Sequence, residues 1–364
     1  MTRRSVLIAP DSFKGTATAT EVATALAEGW ASVRPEDNVR CAPMADGGEG
    51  TLEAFEASSL GAIRMPVTVR GPADTAVETY WLLLADGTAV VELASTSGLG
   101  LVDELRPLDA HTYGFGEAIR AAITAGATRL LLTVGGSAST DCGTGALSAL
   151  GARFTNSTGA PVALGGRHLS DISAVDLSEL PPVPVGGALI LSDVTNPLLG
   201  QQGAAAIFSP QKGATPEQVV SLAAGLEHFS ALLDADPTAA GTGAAGGCSF
   251  GLLAWGATLS AGSVAVAEVV GLAEAIRAAD VVITGEGRFD SQSAAGKVVS
   301  HVLNLTSPTG TPTLLVAGLI DADPAAFAGH RSLSDLAGSS AAAMEHTLHY
   351  LRRAGAELAV EYSN

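Results

Sequence analysis

Lysine is almost missing from this chain. Of 364 residues 19 are basic, and only three of those are lysines; the rest are arginines. Arginine carries the ordinary surface charge, while each lysine sits in a polar loop beside glycine. They are Lys14 in Pro10-Asp11-Ser12-Phe13-Lys14-Gly15, Lys212 in Ser209-Pro210-Gln211-Lys212-Gly213 and Lys297 in Ala295-Gly296-Lys297. A compact, mobile ammonium next to backbone N–H groups suits phosphate, although a codon bias toward arginine would also thin out lysine. Positive charge is scarce as a whole, since 37 acidic residues leave a net charge of −18. That argues against nucleic acid or an anionic membrane as partner, and leaves room for a small anionic substrate held by a few focused cations. Cysteine is scarce too. Cys41, Cys142 and Cys248 lie far apart without metal-ligand spacing, so a reduced, cytoplasmic setting is expected. No secretory signal is expected, because Thr2-Arg3-Arg4 leads only into a strand-length apolar run, Val6 to Ala9. No run is long enough for a membrane span. The longest weakly charged stretch, Cys248 to Ala273, holds Glu268 and a Ser260-Ala261-Gly262 break, and reads as two packed helices.

What is present is core. Hydrophobic residues make up 47% and charged residues 15%, which excludes a disordered chain. The length fits about two domains at ~100–200 residues each. Val6–Ala9 reads as a buried parallel strand, followed by the Asp11–Gly15 loop and by Thr18-Ala19-Thr20-Glu21, a capping box opening a helix through Trp30. Val39–Met44 reads as the next strand; it ends in Ala45-Asp46-Gly47-Gly48-Glu49-Gly50-Thr51, which feeds a helix to Leu60. Two successive strands thus end in polar, glycine-rich loops at helix starts, the carboxyl edge where open α/β sheets collect ligands. The pattern then becomes hairpin-like over Ile63–Val69, Glu78–Leu84 and Thr88–Leu93, with Asp86-Gly87 as a turn. A helix over Tyr113–Ala125 precedes strands at Arg129–Val134 and Ala188–Leu191, each ending in a polar loop. Val281–Thr284 is expected to end at Gly285-Glu286-Gly287-Arg288, with a helix near Gly296, a last buried strand at Thr313–Ala317 and an acidic C-terminal helix.

The expected fold is α/β with two α/β domains. Residues 1–68 and 288–364 form a discontinuous parallel-sheet domain, and residues 69–287 an inserted second one. The strand-to-loop junctions repeat one inventory: glycine, an acid, a hydroxyl or amide, and sometimes a cation. Phosphoryl transfer needs that set. No Walker A motif and no protein-kinase signature is present. Gly241-Thr242-Gly243-Ala244-Ala245-Gly246 matches the dinucleotide fingerprint literally, but Asp236-Pro237-Thr238 stands where its strand should be. His346 and His349 lack a third metal ligand nearby and read as a solvated helix face.

Seven segments, in register, resemble the bacterial two-domain, non-Walker glycerate kinases. They are Ala9-Pro10-Asp11-Ser12-Phe13-Lys14-Gly15; Pro43-Met44-Ala45-Asp46-Gly47-Gly48-Glu49-Gly50-Thr51; Gly135-Gly136-Ser137-Ala138; Asp193-Val194-Thr195-Asn196-Pro197-Leu198; Pro210-Gln211-Lys212-Gly213-Ala214; Gly243-Ala244-Ala245-Gly246-Gly247; and Ile283-Thr284-Gly285-Glu286-Gly287-Arg288. The resemblance covers nearly the whole chain. It implies ATP-dependent phosphorylation of D-glycerate, usually at the 2-hydroxyl, with Mg²⁺. It also implies a Rossmann-like domain built from both chain ends, a second domain inserted between them, and an active site in the cleft.

Under that resemblance Asp193 is the candidate general base or Mg²⁺ ligand, with Asn196 positioning substrate. Asp46 and Glu49, flanking Gly47-Gly48, would hold Mg²⁺ or the glycerate hydroxyls. Lys14 and Ser12, beside Asp11, would grip the substrate carboxylate or the transferring phosphoryl group, and Lys212 would neutralise ATP phosphates. Arg288 offers a bidentate fork, oriented by Glu286 and Asp290, and Gly135, Gly136 and Ser137 a backbone phosphate cradle. Asp11, Asp46 and Asp193 each follow a strand, where capping or turn formation is the commoner role. Trp30, Trp81 and Trp255 read as core. The chain departs from the family pattern at Ser139, Thr140 and Cys142 around Asp141, at His111, and at Ser209. Those departures keep alive a kinase of the same fold acting on another hydroxy acid or a cyclitol. A non-catalytic organic-acid or nucleotide sensor is the remaining rival, and a homodimer is left open.

Overall fold

The computed structural model describes residues 3–59, 61–290 and 298–362. Lys297 and Gly296 lie outside the described residues. In chain order the strands begin with β1 (Ser5–Ile8), β2 (Asn38–Cys41), β3 (Ile63–Arg70), β4 (Ala76–Leu83) and β5 (Thr88–Glu92). They continue as β6 (Arg129–Thr133), β7 (Arg153–Thr155), β8 (Ala174–Asp176), β9 (Ala188–Leu191) and β10 (Thr258–Ser260). The last are β11 (Val281–Phe289), β12 (Thr313–Ile320) and β13 (Gly329–Ser332). The chain divides into two compact α/β units, one of residues 1–46, 53–60 and 263–364, the other of residues 47–52 and 61–262.

The boundaries read from the sequence, 68/69 and 287/288, differ from these. β3 pairs along its whole length with β4 and so belongs to the second unit. β11 pairs with β1 and β12, which carries residues 281–287 into the first.

In the first unit five parallel strands run in the order β2-β1-β11-β12-β13. Val6, Leu7 and Ile8 are all buried, as a continuous apolar run in a parallel sheet must be. The helix Ala19–Val33 opens with the capping box: Glu21 N–H donates to Thr18 Oγ1 at 3.2 Å, and Thr18 N–H to Glu21 Oε2 at 2.9 Å. That helix packs on the C-terminal helix Thr347–Glu361, and glycines set the distance. A Cβ on Gly29 would lie 2.0 Å from the carbonyl oxygen of Arg352, and one on Gly355 2.4 Å from that of Leu26. Trp30, Leu26, Leu351 and Leu358 fill the space around the crossing. From β1 the chain steps to β2 on one side and later returns as β11 on the other, so the strand order reverses between β1 and β11. In an open α/β sheet that reversal opens the ligand crevice at the carboxyl ends of the two strands.

The second unit holds a six-stranded mixed sheet in the order β3-β4-β5-β6-β9-β10. β3, β4 and β5 are antiparallel; β5, β6, β9 and β10 are parallel. Asp86 and Gly87 form the expected turn, with Gly87 at φ +84° and Thr88 N–H on Asp86 Oδ1 at 2.9 Å. The register aligns Glu92, Thr133, Leu191 and Ser260, so the loops that follow these four strands leave from one edge of the sheet. Phe115, Ile119, Leu130, Leu132, Leu147 and Phe250 are fully buried core beneath that edge.

Three local expectations are corrected. Gly285-Glu286-Gly287-Arg288 continues the strand rather than leaving it, because β12 offers a partner at Gly285↔Val316, Glu286↔Ala317 and Arg288↔Leu319. The Ser260-Ala261-Gly262 break contains the end of β10, so the stretch is helix Cys248–Trp255, strand, helix Gly262–Val269. Thr313–Ala317 is not the last strand, since β13 follows it. Among the described residues no helix is long and apolar enough to cross a membrane.

Candidate active site

Acids and a lysine from separate loops meet at the sheet reversal of the first unit. The backbone N–H of Asp11, just past β1, donates to the carbonyl of Gly285 on β11 at 2.8 Å. That bond brings the Asp11 loop beside Glu286. The carbonyl of Pro10 accepts from Met44 N–H at 2.8 Å, which draws in the segment after β2 and with it Asp46. Lys14 Nζ then lies 3.7 Å from Asp46 Oδ2, at the end of a side chain that is 78% exposed. Asp11 is buried, and its Oδ1 accepts from Ser12 N–H at 2.7 Å. Burial first, then the neighbouring charge of Asp46 and more weakly that of Glu286, pushes the Asp11 carboxyl up to about 7; the Ser12 N–H and Lys14 oppose that rise. Arg288 lies further along β11, where its guanidinium sits 2.5 Å from Asp321 and 3.7 Å from Asp290. Of the predicted set, this unit therefore groups Asp11, Ser12, Lys14, Asp46 and Glu286, and ties Arg288 to a separate acid pair.

In the second unit the predicted residues cluster at the common carboxyl edge of β5, β6, β9 and β10. Gly47 and Gly135 touch. Gly135 N–H donates to the Gly47 carbonyl at 3.1 Å, and a Cβ on Gly135 would come within 2.4 Å of Gly48 Cα. The Gly135 amide is thus committed to the neighbouring loop, so a phosphate cradle here draws on other donors. Gly136 follows at φ +74°, a backbone state that favours glycine. Asp193 is half-buried, and its Oδ1 accepts from Gly262 N–H at 2.8 Å. Asn196 donates from Nδ2 to the Gln202 carbonyl at 2.8 Å, and its own carbonyl accepts from Gly243 N–H at 3.0 Å. Glu49 is exposed.

Lys212 differs from the exposed phosphate ligand its sequence context suggests. It is 2% exposed, and its ammonium donates to Ser137 Oγ at 2.8 Å and to the Ser139 carbonyl. Desolvation pulls it down to about 8, against the opposing pull of Asp141. Asp141 itself is fully buried. Oδ2 accepts from Thr112 N–H and Oγ1 at 2.8 Å each and from Gly145 N–H at 3.2 Å, and Oδ1 from Ser139 Oγ and Gly143 N–H at 3.2 Å each. The dinucleotide look-alike is packing: a Cβ on Gly246 would fall 2.2 Å from the Ser139 carbonyl, and Cys142 N–H donates to the Gly246 carbonyl at 3.1 Å. His111, one of the departures, is 2% exposed; it pairs through Nε2 with Asp74 Oδ1 at 2.9 Å and receives Tyr113 N–H on Nδ1 at 3.3 Å. Ser209, another departure, meets Thr140 Oγ1 at 3.2 Å.

Two organising residues escape the sequence reading. Asp141 is visible there only as the acid among departures. Glu92 ends β5, and its Oε1 accepts from Thr51 N–H at 2.9 Å and Leu52 N–H at 3.3 Å, at the start of the helix Thr51–Ser58. The signal for Glu92 is an acid closing an otherwise apolar strand.

For Mg²⁺ the donor chemistry fits. The ion takes one or two carboxylates with waters and substrate phosphates rather than a full protein cage. The mutual repulsion felt at Asp11 is what a cation at Asp46 would relieve. Among the described residues no group of three or more His, Cys, Asp or Glu is arranged to hold a metal.

The model of the glycerate kinase family matches residues 6–363. A glycerate kinase from Bacillus subtilis is 39% identical over 369 residues, covering 97% of this chain and 96% of its own. A glycerate 2-kinase from Escherichia coli is 40% identical over 328 residues, 87% of this chain and 86% of its own. The crystal structure of a candidate glycerate kinase 2 from Salmonella typhimurium LT2 matches with a TM-score of 0.86 at 35% identity, covering 100% of this chain and 99% of that one.

Proposed function

The chain belongs to the glycerate kinase family, and from that premise we propose that it moves the γ-phosphoryl group of ATP onto the 2-hydroxyl of D-glycerate, releasing ADP and 2-phospho-D-glycerate. The new O–P bond forms at the glycerate oxygen as the bond to the ADP oxygen breaks, and the hydroxyl proton passes to a base. The observation that supports this most is the cluster at the β1–β11 reversal: Lys14 at 3.7 Å from Asp46, beside buried Asp11. A cation and carboxylates at the ligand edge of a parallel sheet are what carboxylate binding and phosphoryl transfer require.

Lys14 and Ser12 bind the glycerate carboxylate or the phosphoryl group in flight. Asp11 and Asp46 face the glycerate hydroxyls, and Glu49 assists from the next loop. Asp46 would hold Mg²⁺, which when bound would neutralise phosphate charge; Asp193 would serve as the base or as a metal ligand, and Asn196 orients substrate. Gly136 and Ser137, with Gly47, Gly48 and Gly135 shaping the adjoining turn, cradle ATP phosphates, with Lys212 behind them. Arg288, held by Asp321 and Asp290 further along β11, offers a cation beside this group, and the Glu286 carboxylate adds to the Asp11–Asp46 acids. The three free thiols, Cys41, Cys142 and Cys248, support a cytoplasmic setting.

A coupled ADP-release assay with ATP, Mg²⁺ and a panel of acceptors tests this. Turnover with D-glycerate is expected to fall at least ~100-fold in Asp193→Asn and in Lys14→Ala, as loss of a positioned base or charge clamp does. ADP release only with another sugar acid or a cyclitol would reject the substrate, and retention of activity in both variants would reject the roles.

A further inference from the structure

We propose that Lys212 is a positioning residue: its buried ammonium pins the Gly135–Gly143 turn by bridging Ser137 and Ser139, so nucleotide affinity depends on that clamp rather than on contact between Lys212 and phosphate. The inference rests on reading Gly136 and Ser137 as the phosphate cradle.

The geometry is that of a built clamp. Lys212 closes a short turn whose own bonds, Lys212 N–H to the Ser209 carbonyl at 3.0 Å and Gly213 N–H to the Pro210 carbonyl at 3.0 Å, fix where the side chain starts. Ser209 Oγ meets Thr140 Oγ1 at 3.2 Å, a second tie to the same loop. From there the ammonium reaches Ser137 Oγ and the Ser139 carbonyl, so two of its three donors are engaged and the group is 2% exposed. Asp141 holds the far side of the loop with five accepted bonds, and its charge offsets the burial of the ammonium. A buried cation without such partners would be costly. Lysine is otherwise almost absent from the chain, and this one is directed inward at the loop that follows β6.

The clamp carries its own signature. The groups facing the ammonium are Asp141 and Cys248, and burial lowers the Lys212 pKa to about 8. Cys248 and its neighbour Cys142 are pushed well above the ordinary thiol range by burial and by Asp141, so both stay neutral through the same pH window. As pH rises past 8, Lys212 alone among these groups loses its charge, and its charge-assisted bonds weaken.

The test is the Kd of ADP for the full chain, by calorimetry, between pH 7.5 and 9.5. The expected result is a Kd that rises about tenfold across that range in the wild type. In Lys212→Met it is weak and flat, and in Ser137→Ala it is weakened two- to fivefold with the pH limb retained. A wild-type Kd that stays flat while ADP binds normally overturns the clamp and leaves the kinase reading intact. A Lys212→Met protein that binds ADP as tightly as the wild type does the same. ADP binding absent at every pH overturns the kinase reading and the clamp together.

Discussion

Replacing Asp11 by asparagine should stabilise the protein in alkali and leave it almost unchanged in acid. Asp11 is 8% exposed, and its carboxyl is raised from an ordinary 3.8 to about 7, by burial first and by the charge of Asp46 next. The folded form therefore keeps a proton that the unfolded chain sheds near pH 4. Stability falls as pH rises from about 4 to about 7, and the loss is complete above that. That rise corresponds to about 4 kcal/mol at pH 8.5, an upper bound, because the site relaxes around the charge. A gain of about 2 kcal/mol or more in Asp11→Asn is the working figure, or several degrees in Tm for a unit of this size. Asparagine keeps the Oδ1 acceptor that Ser12 N–H uses at 2.7 Å, so the loop need not move. Chemical denaturation at pH 4.5 and 8.5, in chelator to keep divalent cations from offsetting the charge, reads the effect directly. The variant should lose glycerate turnover as it gains stability, a trade familiar at functional sites. Equal or lower stability of Asp11→Asn at pH 8.5 would refute the account of a strained, buried carboxylate.

Two further changes probe the scaffold. Gly29→Ala forces a methyl against the Arg352 carbonyl, 2.0 Å from the new Cβ, and should cost about 2–3 kcal/mol in thermal denaturation; a variant as stable as the wild type would mean the two helices separate freely. Glu92→Gln weakens the charge-assisted cap on Thr51 and Leu52 N–H and should cost about 1 kcal/mol, read by denaturant titration, with a raised KM for substrate through the adjoining Gly47–Gly50 loop.

What was legible in the sequence was local. The Thr18–Glu21 capping box, the Asp86-Gly87 turn and the apolar strands each follow from chemistry within a few residues, and they form as expected. What was not legible depended on distant partners. Gly285–Arg288 looks like a loop by composition, yet β12 supplies a ladder partner and keeps it extended. β13, Gly-His-Arg-Ser, has no apolar run to announce it and exists as a strand by pairing with β12. The acids and the lysine of the β1–β11 cluster could be named from their loops, but not that burial and crowding would raise Asp11. Lys212 was recognisable as unusual, while its partners Ser137 and Ser139 lie more than 70 residues away in sequence and turn a presumed phosphate ligand into a buried brace. His111, suggestive of a reshaped pocket, pairs with Asp74 from a distant turn and accepts the Tyr113 N–H.

The central claim is the reaction, and the product tests it most directly. The purified full chain, given ATP, Mg²⁺ and D-glycerate, should yield ADP and 2-phosphoglycerate in equal amounts, followed by ³¹P NMR with authentic 2- and 3-phosphoglycerate as standards. Phosphate appearing on the 3-hydroxyl would contradict the regiochemistry, and no phosphoglycerate at all would contradict the account.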